Sequence, residues 1–503
     1  MANLVGAGIA GIAGVGVTWL VARGLGPTQA GAFFAATAAF VLAGGVAKLG
    51  APTSLVYWPA RLRAGGQPHL LGACLRIGLP PVAFAGLAIG AALWLGAPWL
   101  AAQTAGDASR HTAMAEQLRV LAAFLPLAVL TDAMLAASRG YRAMGPTVWL
   151  DRITRPALQV VGIGALAVLT LYAPVPLAAY PLAWVAPYLP VALLAAYQLR
   201  RVHRRTAPRA ADGAPRFRRA TRLRLRRAFW RFAGPRAVAT VAQLGLQRVD
   251  VLLVAALGGL GAAALYAVAG RFVVLGQLAN QGISLAVQPR LAEALATGDR
   301  AGARVLYQTA TGWLVLITWP LYLMVMVFAP LYLALFGEAY RDGGQIVAVL
   351  AAAMLLATGC GMVDMVLAMG GRTAWNLANV GLALAVAVAL DLLLIPRLGA
   401  LGAAIGLAAA LAVNNLLPLA QISLSLRVHP FGRGTITAAA LGLTCFGAVP
   451  LAAASIVGVG PPALLISLAA GTAGYLAGAV ALRRPLALDA LAALRRRPTH
   501  EET

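Results

Sequence analysis

Charge is scarce in this chain. Of 503 residues, 11% are Asp, Glu, Lys or Arg, against roughly 25% in a soluble domain, whose surface must face water. A water-covered globular fold is excluded, because a chain this poor in charge is covered by lipid. Lysine is almost missing, Lys48 being the only one. Cysteine is nearly absent too. Cys74, Cys360 and Cys445 all lie inside apolar runs and form no CxxC pair and no metal-ligand spacing, so they read as small packing residues. No P-loop, HExxH or GxSxG constellation occurs. Long hydrophilic loops of the kind a membrane glycosyltransferase or polymerase carries are also missing. The largest predicted outer loop, about 97–116, offers only Asp107, Arg110, His111 and Glu116. No covalent chemistry and no cofactor or metal is therefore expected, and ATP-driven transport would need a partner chain. No alternating ten-residue pattern appears, which argues against an outer-membrane barrel.

What is present is a series of apolar runs of membrane-crossing length, since a helix needs about 20 residues to cross roughly 30 Å of hydrocarbon. The expected fold is an all-α polytopic membrane protein of about 14 transmembrane helices. The predicted spans are 3–22, 29–48, 71–96, 117–138, 147–171, 176–198, 233–256, 262–286, 308–335, 345–369, 374–395, 400–424, 435–457 and 461–482. The first run lacks a basic n-region and continues into the fold, so it is not a cleavable signal. It starts almost at Met1, an expectation of a short cytoplasmic leader ahead of the numbered start.

The net charge of +25 would suggest nucleic acid in a soluble chain. Here the arginines fall between the runs and gather on one side, as the positive-inside rule requires. Arg61, Arg63, Arg139, Arg142, Arg290 to Arg304, Arg372, Arg427 and Arg433 fall in connections of one set. The connections 172–176, 257–261 and 458–461 of the other set carry no basic residue. Nucleic acid is not an expected partner, and both termini are predicted to be cytoplasmic. The segment Arg200 to Arg231 holds thirteen arginines and one acid, Asp212. It reads as a linker facing lipid headgroups.

The chain also repeats itself. A shift of 232 residues lays Leu25-Gly26 on Leu257-Gly258, Ala30 on Ala262, Phe40-Val41 on Phe272-Val273, Gly44 on Gly276 and Gly50 on Gly282. It also lays Asp132 on Asp364, each deep in an apolar run. The expected organisation is two six-helix lobes, 1–198 and 232–424, in parallel pseudo-twofold repeat. A basic linker at 199–231 joins them, helices 13 and 14 occupy 425–482, and a cytoplasmic tail covers 483–503. In transporters of this design the substrate path lies between the lobes.

Polar residues inside spans are costly and usually face a bundle interior or a wet cavity. Thr240, Gln243, Gln247 and Asp250 share one face of span 7, and Gln277, Asn280, Gln281, Ser284 and Gln288 largely share one face of span 8. Lys48, Arg248 and Arg271 are the candidate cations for an anionic headgroup, while Arg76, Arg152 and Arg155 read as snorkelling ends. Asp132, Asp250, Asp364 and Asp391 could neutralise these cations or carry a proton, Asp132 and Asp364 being the ion-coupling candidates.

Four stretches resemble one known family. Val21-Ala-Arg-Gly-Leu-Gly-Pro-Thr-Gln-Ala-Gly31 followed by Phe33 resembles the first outer loop of polysaccharide-exporting flippases. Gln247-Arg-Val-Asp-Val-Leu-Leu-Val254, with Gly261 and Leu265-Tyr266, resembles their seventh span. Leu335-Phe-Gly-Glu-Ala-Tyr340 and Leu392-Leu-Leu-Ile-Pro-Arg-Leu-Gly-Ala-Leu-Gly-Ala-Ala404 resemble two later junctions. These belong to the oligosaccharide and polysaccharide flippases of the multidrug/oligosaccharidyl-lipid/polysaccharide exporter superfamily. The resemblance implies two lobes in a V shape and export of undecaprenyl-diphosphate-linked sugars across a bacterial cell membrane by alternating access. The implied partners are the lipid-linked oligosaccharide, membrane lipids, and H+ or Na+ as coupling ion. Arg23, Arg248 and Asp250 match motif positions, and Asp391 stands where Asn is common. Lipid II flippases and drug/cation antiporters of the same superfamily are the alternatives. Spans 13 and 14 fit the lipid II type, and the loop motifs fit the sugar exporters better.

Overall fold

A computed structural model of the chain describes residues 2–104, 108–206 and 219–488. The middle of the basic linker, Asp107, and the tail beyond 488 with Arg495 to Arg497 lie outside the described residues. Every regular element among the described residues is helical. In chain order they are α1 (Ala2–Ala47), α2 (Ala51–Ala64), α3 (Leu71–Ala102), α4 (Ala108–Gly140), α5 (Arg155–Leu169), α6 (Ala179–Val185) and α7 (Tyr188–Thr206). Then come α8 (Arg219–Leu257), α9 (Leu260–Ala269), α10 (Val273–Ala296), α11 (Arg300–Val327), α12 (Ala329–Ala334), α13 (Gly344–Gly359) and α14 (Val363–Met369). The last five are α15 (Thr373–Leu398), α16 (Ala400–Ser425), α17 (Arg433–Gly442), α18 (Val449–Val457) and α19 (Pro461–Ala481).

Among the described residues, thirteen helices are long and apolar enough to cross a membrane. The first of them, Val5–Ala47, has 43 residues, about 65 Å at 1.5 Å per residue. That is twice the hydrocarbon thickness. It is broken at Gly26 (φ 71°, ψ 170°), just before Pro27, so it supplies two crossings and the fourteen expected spans are recovered. Span 7 differs more from expectation. Its helix begins at Arg219, well ahead of residue 233, so the second part of the basic segment is helix rather than loop. The reason is an apolar face hidden among the arginines. Leu225, Phe229 and Ala233 recur every four residues and are buried, while Arg222, Arg224, Arg226, Arg227 and Arg231 are exposed. The Ser54 hydroxyl donates to the Phe229 carbonyl at 3.2 Å, and Tyr57 stacks on Phe232 at 4.5 Å.

The chain divides into two compact units, Met1–Val268 with Asp391–Ala403, and Ala269–Leu390 with Ala404–Thr503. In the first, α3 and α4 pack along their length, and Leu55, Leu71, Leu118, Leu121 and Leu125 are fully buried. In the second, Leu291, Tyr307, Ala310, Val366, Leu367 and Ile422 form a core. The next-to-last span packs Cys445 and Phe446 on Leu323 of α11, and the last span reaches α11 through the Tyr475 hydroxyl, which donates to the Leu316 carbonyl at 2.6 Å. The three cysteines are buried and unpaired.

In each unit one helix break stands beside a candidate residue. In the first unit the second crossing stops at Leu49 (φ 51°) and Gly50 (φ 67°), directly after Lys48. Only glycine fits at position 50, because a Cβ there would meet the Ala233 carbonyl oxygen at 2.3 Å and the Ala237 nitrogen at 2.8 Å. In the second unit the break lies between α13 and α14, at Cys360 and Gly361 (φ 74°). The Tyr307 hydroxyl donates to the freed Cys360 carbonyl at 2.6 Å, which spares a bare carbonyl inside an apolar bundle.

Candidate functional site

The break after Lys48 opens onto a cavity of about 280 Å³ within the first unit, lined by Lys48, Asp132, Arg139, Thr147, Asp151 and Thr240 among others. Four of those side chains carry full charges in a bundle otherwise built of Leu, Ala, Val and Phe. The Lys48 ammonium pairs with the Asp132 carboxylate at 2.5 Å. Behind the lining, Arg155 holds Asp151 at 2.6 Å, donates to the Tyr188 hydroxyl at 2.8 Å and lies over the Tyr188 ring at 5.0 Å. Tyr188 is set in place by Phe40 and Trp184, whose ring centres lie at 6.3 and 6.4 Å from it. A guanidinium sandwiched this way is fixed in direction as well as neutralised.

The backbone beneath Asp151 is unusual. Residues Thr147–Thr154 form a π-helical stretch that enters α5. Thr147 and Asp151, four residues apart on this stretch, share one face and both line the cavity. Such stretches are rare and concentrate at functional positions.

Two sequence candidates, Lys48 and Asp132, are thus brought together. Thr240 of the span 7 stripe also reaches the cavity, and the other candidates do not. Asp250 is buried, accepting from the Val251 amide at 2.8 Å and from the Tyr266 hydroxyl. Although it shares a helical face with Thr240, Gln243 and Gln247, those three are exposed. The stripe dives inward where α9 packs over α8, so Asp250 fastens two helices together. Arg248 is half-buried, with a buried Nε that has no acceptor among the described residues. Arg271 is half-buried in the tight turn Gly270–Phe272 that leads into α10. On α10, Gln277 and Gln281 are exposed, while the Ser284 hydroxyl donates to the Asn280 side-chain oxygen at 3.3 Å.

Asp364 stands in the first turn of α14 with its side chain exposed. Its own carbonyl accepts from Asn376 at 2.8 Å, and its carboxylate makes no ion pair among the described residues. Asp391 is 1% exposed.

Sequence reasoning missed Arg139, Thr147 and Asp151, and misplaced Arg155. The sequence pattern places Arg139 in a loop, but it lies in the last turn of α4, half-buried. Arg155 reads in sequence as a snorkelling end, yet it points inward to Asp151 and Tyr188. The signal that could have found it was the Asp151–Arg155 spacing of four residues, an acid and a base on one helical face. No group of three His, Cys, Asp or Glu residues that could hold a metal ion is gathered among the described residues.

This architecture is similar to that of several known transporters. A lipid II flippase, MurJ, in an inward closed conformation superposes with a TM-score of 0.72 at 11% identity, over 95% of this chain and 98% of that one. An inward-facing multidrug resistance MATE family transporter of the MOP superfamily gives 0.65 at 17% identity, over 83% and 96%. A MOP superfamily transporter from Pyrococcus furiosus, described as having a binding pocket of reverse polarity, gives 0.57 at 17% identity, over 85% and 94%. No curated protein matches by sequence. Residues 235–396 match the MatE family, and residues 1–295 match the family described as polysaccharide biosynthesis protein. With more than half of its length matched, the chain belongs to the polysaccharide biosynthesis protein family, and its many membrane-length helices make it a multi-pass membrane protein.

Proposed function

We propose that this protein moves a lipid-linked oligosaccharide, carried on a polyprenyl (undecaprenyl) diphosphate, across a bacterial cell membrane, taking it from the cytoplasmic to the outer leaflet. The observation that carries this reading is the charged cavity beside Lys48. A lipid tail can stay in the bilayer, but a diphosphate cannot cross hydrocarbon without charge compensation, and ion-paired cations inside an apolar bundle are what supplies it. Membership of the polysaccharide biosynthesis family supports the glycan as cargo. The exposed amides of Gln243 and Gln247 in the same unit offer weak hydrogen bonds of the kind a sugar requires.

The orientation in this proposal has both termini cytoplasmic, supported by the arginine-rich connections on one side and the arginine-free connections 172–176, 257–261 and 458–461 on the other. A single-cysteine label placed at residue 210 should react only in inverted vesicles, and labelling from outside intact cells would reverse the topology. Of the two ion-coupling candidates, Asp364 is the more apt, because its carboxylate is exposed while Asp132 is committed to Lys48.

The match of residues 235–396 to the MatE family favours a second reading, a drug/cation antiporter. Proteoliposomes separate the two. Movement of a fluorescent lipid-linked oligosaccharide to the opposite leaflet, with no uptake of a cationic dye, is the expected result. Dye transport without lipid movement would overturn it.

A further inference from the structure

The charges around the cavity do not all cancel. Asp132 is taken by Lys48 and Asp151 by Arg155, each at 2.6 Å or less. Arg139 is left over. It makes no ion pair among the described residues, and the two carboxylates act on it only at longer range. Its Nε is buried with no acceptor among the described residues.

A second donor lies beside it in the same state. Thr147 is 5% exposed, lines the cavity, and has a buried hydroxyl with no partner among the described residues. Other hydroxyls in these helices satisfy themselves on the carbonyl one turn back. Thr18 does so on Gly14, Thr131 on Leu127 and Ser138 on Met134. Thr147 does not: it stands in the first turn of its helix, just after Pro146, and the Met144 carbonyl behind it accepts from the Val148 amide at 3.3 Å. The same position turns the positive end of a helix dipole toward the cavity, which favours negative charge. Buried donors left unmatched are costly, and two such donors on one void call for an occupant that accepts. The void would hold roughly nine waters at liquid density, enough for a phosphate or diphosphate but not for several sugar rings.

We propose that Arg139, Thr147 and the helix start beneath Thr147 form an anion seat that takes one phosphate group of the transported lipid. The glycan and the lipid tail stay outside the seat. The assignment rests on the flippase reading for the identity of the natural ligand, while the seat itself stands on its own geometry.

The test uses the purified full-length protein in detergent with inorganic pyrophosphate as probe, followed by melting temperature and calorimetry at constant ionic strength. The parent should be stabilised by pyrophosphate more than by chloride, and Arg139→Gln and Thr147→Val should each weaken binding at least tenfold. Arg139→Lys, which keeps the charge but loses the Nε donor, should fall between. Arg341→Gln, at an exposed pair with Glu338, should bind as the parent does. Absence of pyrophosphate binding in the parent, or equal binding in parent and both seat variants, would overturn the seat. Lipid flipping is measured separately. A parent that binds pyrophosphate through Arg139 and Thr147 but flips no lipid-linked sugar keeps the seat and loses the flippase reading. If Arg139→Gln flips at the parental rate, the seat is overturned and the flippase reading stands.

Discussion

A shift of 232 residues lays Lys48 on Asn280 and Asp132 on Asp364, and the chain has treated these two places differently. In the first unit the base and the acid neutralise each other at 2.5 Å beside a cavity. In the second the base is an amide, bonded to Ser284, and the acid is exposed. The helix breaks are exchanged as well. The first unit interrupts the span that carries Lys48 and keeps α4 continuous through Asp132. The second keeps α10 continuous through Asn280 and interrupts the span just before Asp364. A repeated frame of helices therefore specifies where polar side chains can stand, but not what they do there. That depends on whether the partner position still carries the opposite charge.

Five substitutions would break or sharpen this contrast. The largest effect is expected at Gly50→Ala, which forces a Cβ into backbone atoms at a left-handed φ. A loss of about 3–4 kcal/mol, read as a fall in detergent melting temperature, is expected. An unchanged melting temperature would mean that the interruption after Lys48 is not required. Next comes Lys48→Met, which leaves Asp132 uncompensated. The pair is partly open, with side chains 28% and 32% exposed, so about 1–3 kcal/mol is expected rather than the full value of a buried pair. Adding Asp132→Asn should restore most of the melting temperature, while flipping stays impaired in both variants. Full activity in the double variant would remove the pair from the transport path.

The second unit offers a neutral counterpart in Asn379 and Gln421, which exchange hydrogen bonds at 2.8 and 3.0 Å. Asn379→Leu should cost about 0.6 kcal/mol, the usual worth of such a bond between membrane helices. A cost matching that of Lys48→Met would mean charge adds nothing to the first pair. The smallest effect on stability belongs to Asp364→Asn, within about 0.5 kcal/mol as for other exposed substitutions. If Asp364 couples an ion, flipping driven by a proton or sodium gradient should drop while downhill movement persists. Loss of both in parallel would argue for a structural role.

The fold was legible because its cause is written locally. Each apolar run is a span by length alone, and even the merged first helix follows from a Gly26-Pro27 step read beforehand as a junction. The candidate site was legible only in halves. Lys48 and Asp132 stood out because an ionisable group inside an apolar run has few bland explanations. Arg139 and Arg155 did not, because an arginine near a span end looks the same whether it snorkels to water or turns back into a cavity. The direction is decided by Asp151, Tyr188 and the π-helical stretch, which depend on packing between α1, α4, α5 and α7. The helical start of α8 was hidden by composition, since thirteen arginines in 32 positions (200–231) outweigh a sparse apolar face at Leu225 and Phe229.

The scarcity of lysine gives the cavity a chemical address. Lys48 carries the only ε-amine in the sequence, so an acylating reagent that reaches a side-chain amine in this protein has reached that one place. An ammonium paired with a carboxylate must shed a proton and its partner before it can attack, so the rate of acylation reports how often the Lys48–Asp132 contact opens. Mass spectrometry of the intact chain, read against its α-amine as an internal standard, would follow that opening in the unmodified protein, without an engineered probe.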